Sequence, residues 1–309
     1  MAKPSLCIIY NPSAGRGFTG SIWQNLQVAL GNAAEYQPTR HPEHAVELAM
    51  QAAKDGFSTV AAAGGDGTVH EVANGLLRAD KSGVAFGVIP LGSGNDYARM
   101  LKVPTDPNRL AQLLLGQEAW PVDAGLVTAD GGRTQRYFVN TLGLGLSGVV
   151  TYEARQIKWL RGLSLYGLAA LKAVYRSFRA IPTALEFDGQ ATTGATLYLS
   201  IALGAAEGGG FVVAPDAQLD DGWFDYLHAG SMTRLRALSY LPRMALGLLP
   251  ESGGAIRRGR CQRVRIVADE PLHCHCDGEL FSDPTQPACR FDVRLLPAAL
   301  KIRGTRPAG

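Results

Sequence analysis

Three short stretches place glycines and small polar side chains directly after apolar segments: "NPSAGRG" (11–17), "GGDGT" (64–68) and "PLGSGND" (90–96). Glycine lets backbone turn tightly or lie close against a ligand. Backbone amides at a helix start form an anion site. Ser13 and Ser93 add hydroxyls, and Arg16 adds a forked cation. Any one such loop is a plain turn as often as it is a site. Three of them, each following a strand-like run, point to the phosphate chain of a nucleotide. None contains G-x-x-x-x-G-K-[ST], and "GGDGT" does not fit G-x-G-x-x-G. A carboxylate at Asp66 would repel a bare pyrophosphate, so the loop is expected to work through Mg2+, which bridges carboxylates and phosphate oxygens. Asn95 is placed to cap the helix that follows it.

Two acidic stretches lie further along. "CDGEL" (276–280) has carboxylates at Asp277 and Glu279. In a strand these side chains share a face; equally, "DG" is a common hairpin turn, and spacing alone does not choose. "DAQLDDGWFD" (216–225) is an acidic, glycine-bent segment, whose plain reading is a solvated turn. Zinc at "LHCHCDGE" is disfavoured: in a strand Cys274 and Cys276 face away from His273 and His275, so four ligands cannot converge. Core cysteines with half-exposed histidines are expected instead.

These loops need elements to hold them. "LCIIY" (6–10), "STVAAAGG" and "GVAFGVIP" (83–90) read as buried strands, with helices at 21–34, 43–56, "VHEVANGLLRA" and from "NDYARML". Strands alternating with helices predict a parallel, doubly wound α/β sheet, in which ligands sit at the carboxyl ends of strands. After about residue 124 strand-like runs follow one another, with helical character only at 147–180 and 231–249. That predicts a second, mainly antiparallel β domain over 125–295. The final apolar segment (296–309) is expected to complete the first domain.

Wound as one helix, 151–180 puts Trp159, Leu160, Leu163, Leu171, Val174 and Phe178 in one sector, with Lys158, Arg161, Lys172, Arg176 and Arg179 opposite or beside it. This suits an anionic bilayer surface, and suits equally a core-packed helix with a solvated basic face. The remaining totals exclude more than they assign. With 309 residues, 46% apolar and 18% charged, the chain has the composition of a folded two-domain protein. A net charge of +3 does not call for nucleic acid. Five scattered cysteines fit a reducing compartment. No run has the length of a secretory leader or a membrane span, so a cytoplasmic protein is expected, able to touch the membrane's inner face. A homodimer is compatible with the sequence, which does not decide oligomeric state.

"NPSAG", "GGDGTVHEVANG", "PLGSGNDYAR", "GGGFVVAPDAQLDDGWFD" and "DGE", in order and across nearly the whole chain, resemble the diacylglycerol kinase catalytic family. The closest resemblance is to bacterial soluble lipid kinases related to sphingosine kinases. The resemblance implies an NAD-kinase- and phosphofructokinase-like first domain and a β-sandwich second domain. It implies ATP-dependent phosphorylation of a lipid hydroxyl such as that of diacylglycerol, a sphingoid base or phosphatidylglycerol, with the lipid head in the interdomain cleft.

Carried over by residue, the resemblance places ATP on Asn11, Pro12, Ser13, Ala14, Gly15 and Arg16, on Thr39, on Gly64, Gly65, Asp66, Gly67, Thr68, Val69 and His70, and on Ser93. Ser93 stands where threonine is usual and Arg16 where a close relative has lysine; hydroxyl and charge are kept. Glu279 is implied as general base, with Asp277 as helper or alternate. A structural Mg2+ is implied on the Asp221 side chain and the carbonyls of Gln218 and Trp223. Asp96, Arg99 and Asp123 are candidates for a charged network between the domains. A kinase for a soluble acceptor is the alternative on the same fold, argued against by "PLGSGND" and "DDGWFD". A non-catalytic nucleotide- or lipid-binding regulator is the other, argued against by Asp66, Asp277 and Glu279.

Overall fold

The computed structural model describes residues 4–13, 21–81, 83–250, 253–304 and 306. The chain divides into two compact units, Met1–Val122 with Ala298–Gly309, and Asp123–Pro297. The first runs β1 (Leu6–Tyr10), α1 (Ser21–Leu30), β2 (Ala34–Pro38), α2 (His44–Lys54), β3 (Thr59–Gly64), α3 (Asp66–Ala79), β4 (Ala85–Pro90), α4 (Asp96–Met100) and α5 (Pro107–Leu115). Its strands are parallel in the order β2-β1-β3-β4. β1 and β3 are apolar throughout because both faces are covered. Leu6, Ile8, Ala61, Ala63 and Ile89 pack with Trp23, Leu26 and Leu30 of α1 and Leu110 and Leu114 of α5. Each such leucine contributes about 1.5–3 kcal/mol by leaving water. The alternate residues Cys7, Ile9, Val60 and Ala62 are also buried, facing the side where α2 and α3 pack together. Gly75 allows that helix contact, since a Cβ there would lie 2.5 Å from the Val46 carbonyl oxygen.

Two elements of this unit escape the periodicity. β2, "AEYQP", is a half-buried edge strand with no apolar run, and exists by pairing with β1. α5 carries its own start signal, Asp106 accepting from the Arg109 amide with Pro107 in the first turn.

The chain leaves this unit within β5 (Ala119–Ala129) and returns within β18 (Arg290–Arg303). Between them come β6 (Thr134–Phe138), β7 (Thr141–Gly145), α6 (Leu146–Arg155), α7 (Gly162–Arg176), β8 (Ile181–Phe187), β9 (Gln190–Thr196) and β10 (Tyr198–Ala202). β11 (Ala206–Glu207), β12 (Phe211–Val212), β13 (Phe224–Ala229), α8 (Arg234–Ala245), β14 (Ile256–Cys261), β15 (Arg263–Ala268), β16 (Cys274–Cys276) and β17 (Glu279–Ser282) follow. One antiparallel sheet has the order β14-β13-β10-β7-β16-β17, and a second joins β18, β15, β8 and β9, with β5 and β6 beside β18. Stacked rings cross between them, Phe138 on Phe224 at 5.5 Å and Phe187 on Tyr226 at 4.2 Å. The architecture is thus an α/β unit with a parallel sheet and an antiparallel β-sandwich.

The segment 151–180, read as one helix that Gly162 or Gly167 could break, is divided between two helices. α6 ends at Arg155 and α7 begins at Gly162, whose φ of +56° suits glycine. Trp159 and Leu160 fall in the break, and Val174 faces the core with Ala169, Ala170 and Ala173.

Candidate active site

In the first unit, register brings the expected nucleotide residues to one edge. Tyr10 pairs with Pro38 and Ala63, and Gly64 with Pro90. Asn11, Thr39, Gly64 and Leu91 therefore leave four adjacent strands side by side. Three bonds tie these departures across: the Asn11 amide donates to the Ala63 carbonyl at 3.2 Å, the Thr39 amide to the Tyr10 carbonyl at 2.8 Å and the Leu91 amide to the Gly64 carbonyl at 2.9 Å. Asn11 Oδ1 accepts the Ser13 amide at 2.9 Å, and Pro12 and Ser13 are exposed. Ala14, Gly15 and Arg16 lie outside the described residues. The strand order reverses direction between β1 and β3, the crevice where doubly wound sheets take ligands.

Gly65 is the N-cap of α3, so Asp66 and Gly67 begin the helix with their amides at its positive end. A Cβ on Gly64 would lie 2.3 Å from Thr68 Oγ1, and one on Gly92 would lie 2.4 Å from the Gly65 Cα. The second and third loops thus approach each other at Gly65 and Gly92, where a side chain on Gly92 would not fit. Thr68, Val69 and His70 are buried, so they face the loop through backbone rather than through exposed side chains. Ser93 is exposed at the tip of the third loop.

The Asp66 carboxylate reaches across to the third loop. Its Oδ2 accepts the Asn95 amide at 2.7 Å and its Oδ1 the Tyr97 amide at 3.4 Å. Burial pushes its carboxyl up, opposed by those amides and by Arg99. The expected cap from Asn95 does not form: Asn95 has a φ of +55° and its side chain turns back to Gly92, at 3.0 and 2.9 Å. Asp66 caps α4 instead and locks two loops together. Asp96 pairs with Arg99 within this unit.

In the second unit, Asp277 and Gly278, at φ +51° and +84°, form the turn joining β16 to β17. The hairpin reading holds, and Asp277 and Glu279 do not share a strand face. Asp277 Oδ1 accepts the amides of Asn140 at 2.8 Å and Thr141 at 3.1 Å, and Oδ2 that of Val139 at 3.1 Å. Glu279 is 39% exposed and ion-paired with Arg155 at the end of α6.

A buried polar chain that the sequence reading missed backs this turn. His275 is 3% exposed, not half-exposed as expected. Its Nδ1 accepts the Gly278 amide at 3.2 Å, which leaves Nε2–H to donate to Ser147 Oγ at 2.9 Å. Ser147 and Tyr198 hydroxyls both donate to Glu207 Oε1, at 3.1 and 2.8 Å. Burial beside Glu207 pushes the Tyr198 phenol well up, keeping it a donor. Glycines 208–210, all at positive φ, seat the following loop against α7: a Cβ on Gly209 would lie 2.9 Å from the Gly162 backbone. Cys274 and Cys276 are buried and desolvation pushes both thiols up, against a thiolate metal site.

Asp221 Oδ1 accepts the Trp223 amide at 3.1 Å, and Oδ2 lies 3.2 Å from Arg260 Nη1. Arg260 also bonds Asp225 Oδ1 at 3.2 Å. Asp225 Oδ2 is buried and accepts no hydrogen bond, and burial raises the Asp225 carboxyl. A hard oxygen without a donor, beside the loop that carries the Asp221 carboxylate, fits a small divalent cation. Gln218 and Trp223 are exposed on the same loop. Asp123 is buried within this unit and accepts the Gly222 amide at 2.8 Å.

Residues 5–127 match the diacylglycerol kinase catalytic domain, and 140–304 the YegS C-terminal NAD kinase beta sandwich-like domain. The chain is 32% identical over 279 residues to the diacylglycerol kinase of Bacillus subtilis, covering 88% of each chain. It is 32% identical to the "Probable lipid kinase YegS-like" of Chromohalobacter salexigens, over 82% of this chain and 78% of the other. The crystal structure of a diacylglycerol kinase from Bacillus anthracis superposes with a TM-score of 0.71 at 21% identity, over 97% of this chain and 96% of that one, which speaks for the fold. With a relative this similar over 88% of its length and two domain models matched in order, the chain belongs to the diacylglycerol kinase family, with a YegS-type C-terminal domain.

Proposed function

We propose that this chain transfers the γ-phosphate of ATP to a hydroxyl of a membrane lipid. The observation that carries the reading is the alignment of Asn11, Thr39, Gly64 and Leu91 at the ends of four neighbouring strands, with a helix start and a glycine loop behind them. That edge suits a phosphate chain: the amides of Asp66 and Gly67 at the start of α3 and the hydroxyls of Ser13, Thr39 and Ser93 supply donors. Phosphoryl transfer asks the protein chiefly for positioning and charge stabilisation. Mg2+ bound with the nucleotide supplies neutralisation of phosphate charge.

Glu279, held by Arg155, accepts the proton of the acceptor hydroxyl as the oxygen–phosphorus bond forms. A lipid alcohol is far less acidic than a carboxylic acid, so proton transfer comes late. Asp277 fixes the turn that presents Glu279, since three amides already claim its carboxylate. Asp221 and Asp225, with the carbonyls of Gln218 and Trp223, would hold a structural Mg2+.

The lipid reading rests also on the surface of the second unit, where Trp159, Leu163, Leu171 and Tyr175 are exposed beside Lys158, Arg161 and Arg176. Among the described residues no helix is long and apolar enough to cross a membrane. We place the protein in the cytoplasm, visiting the inner face of the membrane. Incubation with γ-labelled ATP, Mg2+ and a total lipid extract is expected to label a lipid, named by mass spectrometry. Glu279→Gln abolishes that label. Label confined to water-soluble products would overturn the reading.

A further inference from the structure

We propose that His41, His44 and Glu47 form a binding site for a divalent transition-metal ion of the zinc class. One ligand atom from each lies within 4.8 Å of the other two. The residues stand at the turn into α2, well apart from the acidic loop around Asp221 in sequence and in a different unit. The imidazoles are stacked with centroids 4.5 Å apart and planes 26° from parallel, so the two rings lie against each other before any ion binds. A zinc–nitrogen bond of about 2.0–2.1 Å sets tetrahedral ligand atoms roughly 3.3 Å apart. Small side-chain rotations close the remaining gap.

Hydrogen bonds decide which nitrogens serve. His41 Nδ1 lies 2.9 Å from the Pro42 carbonyl, which can only accept; the proton is therefore on Nδ1 and the Nε2 lone pair points outward. Such a carbonyl partner on the second nitrogen is what a ligating histidine uses to fix its tautomer. His44 Nδ1 accepts the Arg40 amide at 3.0 Å, so that lone pair is available too. A metal takes it by releasing an exposed amide to water. Among the described residues Glu47 makes no hydrogen bond or ion pair, and its carboxylate supplies the third ligand and a negative charge.

The turn is held from outside. Glu71 of α3 accepts the amides of Glu43 at 3.1 Å and Ala45 at 3.2 Å, fixing Glu43 at a φ of +65°. The backbone between the two histidines is thereby set before any ion arrives. Two imidazoles and a carboxylate select Zn2+, Co2+ or Ni2+ over Mg2+, which prefers oxygen alone. The positions not taken by protein are open to water.

Titration calorimetry of the untagged full chain with Zn2+ in excess Mg2+ tests this. One zinc per chain is expected. His41→Ala and His44→Ala each weaken binding at least about tenfold, Glu47→Gln weakens it less, and all three variants keep the wild-type circular dichroism. Undiminished zinc affinity in the His41→Ala/His44→Ala double variant overturns the site, as does displacement of zinc by excess Mg2+ or the absence of zinc uptake.

Discussion

Three backbone amides converge on the Asp277 carboxylate, whereas Glu279 meets only the guanidinium of Arg155 at the surface. The two acids are therefore separable by experiment. Asp277→Asn replaces one acceptor oxygen by a donor facing amides, at a cost of about 1–3 kcal/mol, read as a lower denaturant midpoint. Glu279→Gln leaves stability within about 0.5 kcal/mol and lowers kcat by roughly 10²–10⁴, with the KM for ATP unchanged. An active Glu279→Gln beside a stable, inactive Asp277→Asn would reverse the two assignments. Asp66 repeats the lesson of Asp277. Its type announced a phosphate loop, yet its bonds run to amides 29 and 31 residues away.

At the scale of elements, the β16–β17 hairpin is steadied from behind by His275, whose Nδ1 takes the Gly278 amide. Asparagine reaches that amide with its Oδ1, and leucine does not. His275→Leu is expected to lower kcat roughly 10–100-fold through a displaced turn with little change in the KM for ATP, and His275→Asn to recover most of the loss. Equal loss in both variants, tracking stability, would mean that the histidine merely fills space. This network also marks where sequence reading stops. The strand–loop–helix units around Gly64 and Gly92 are legible because glycine spacing and apolar runs are local signals. Ser147, Glu207 and His275 meet across 60 and 128 residues, and no local pattern announces such a contact. β2 was invisible for a related reason: an edge strand without apolar alternation is defined by its neighbour. The break between α6 and α7 was legible in Gly162, since a glycine interrupting a helical pattern is a local signal.

For the molecule as a whole, two responses to its surroundings follow. His228, on β13, bonds Thr196 at 3.1 Å, and burial, with Arg257 nearby, lowers it from 6.5 to about 4. Between those values the unfolded chain binds a proton that the folded one does not. Stability is complete above 6.5 and falls with acidification by up to about 1.4 kcal/mol per pH unit. Half-exposed His273, as expected from the sequence, is shifted the same way. Calorimetric Tm is expected to drop between pH 6.5 and 4, and His228→Asn to flatten that drop; an unchanged slope would show His228 already charged when folded.

The second response concerns the membrane. Trp159 and Tyr175 are 75% and 79% exposed, and α8, which packs against α7, adds exposed Leu235, with exposed Leu246 and Leu248 just after its end. Arg161, Arg176, Arg234 and Arg243 are exposed in or at the start of the same two helices. Apolar side chains among cations match an anionic bilayer, where each cation contributes about 1 kcal/mol. Changing Lys158, Arg161, Lys172 and Arg176 together to glutamine is expected to weaken binding to phosphatidylglycerol vesicles by on the order of 10²-fold or more. Turnover of a short-chain, micelle-dispersed acceptor should persist, because none of these residues is assigned to the chemistry. Wild-type vesicle affinity in the fourfold variant would leave the exposed tryptophan and leucines as the anchor and remove electrostatics from membrane docking.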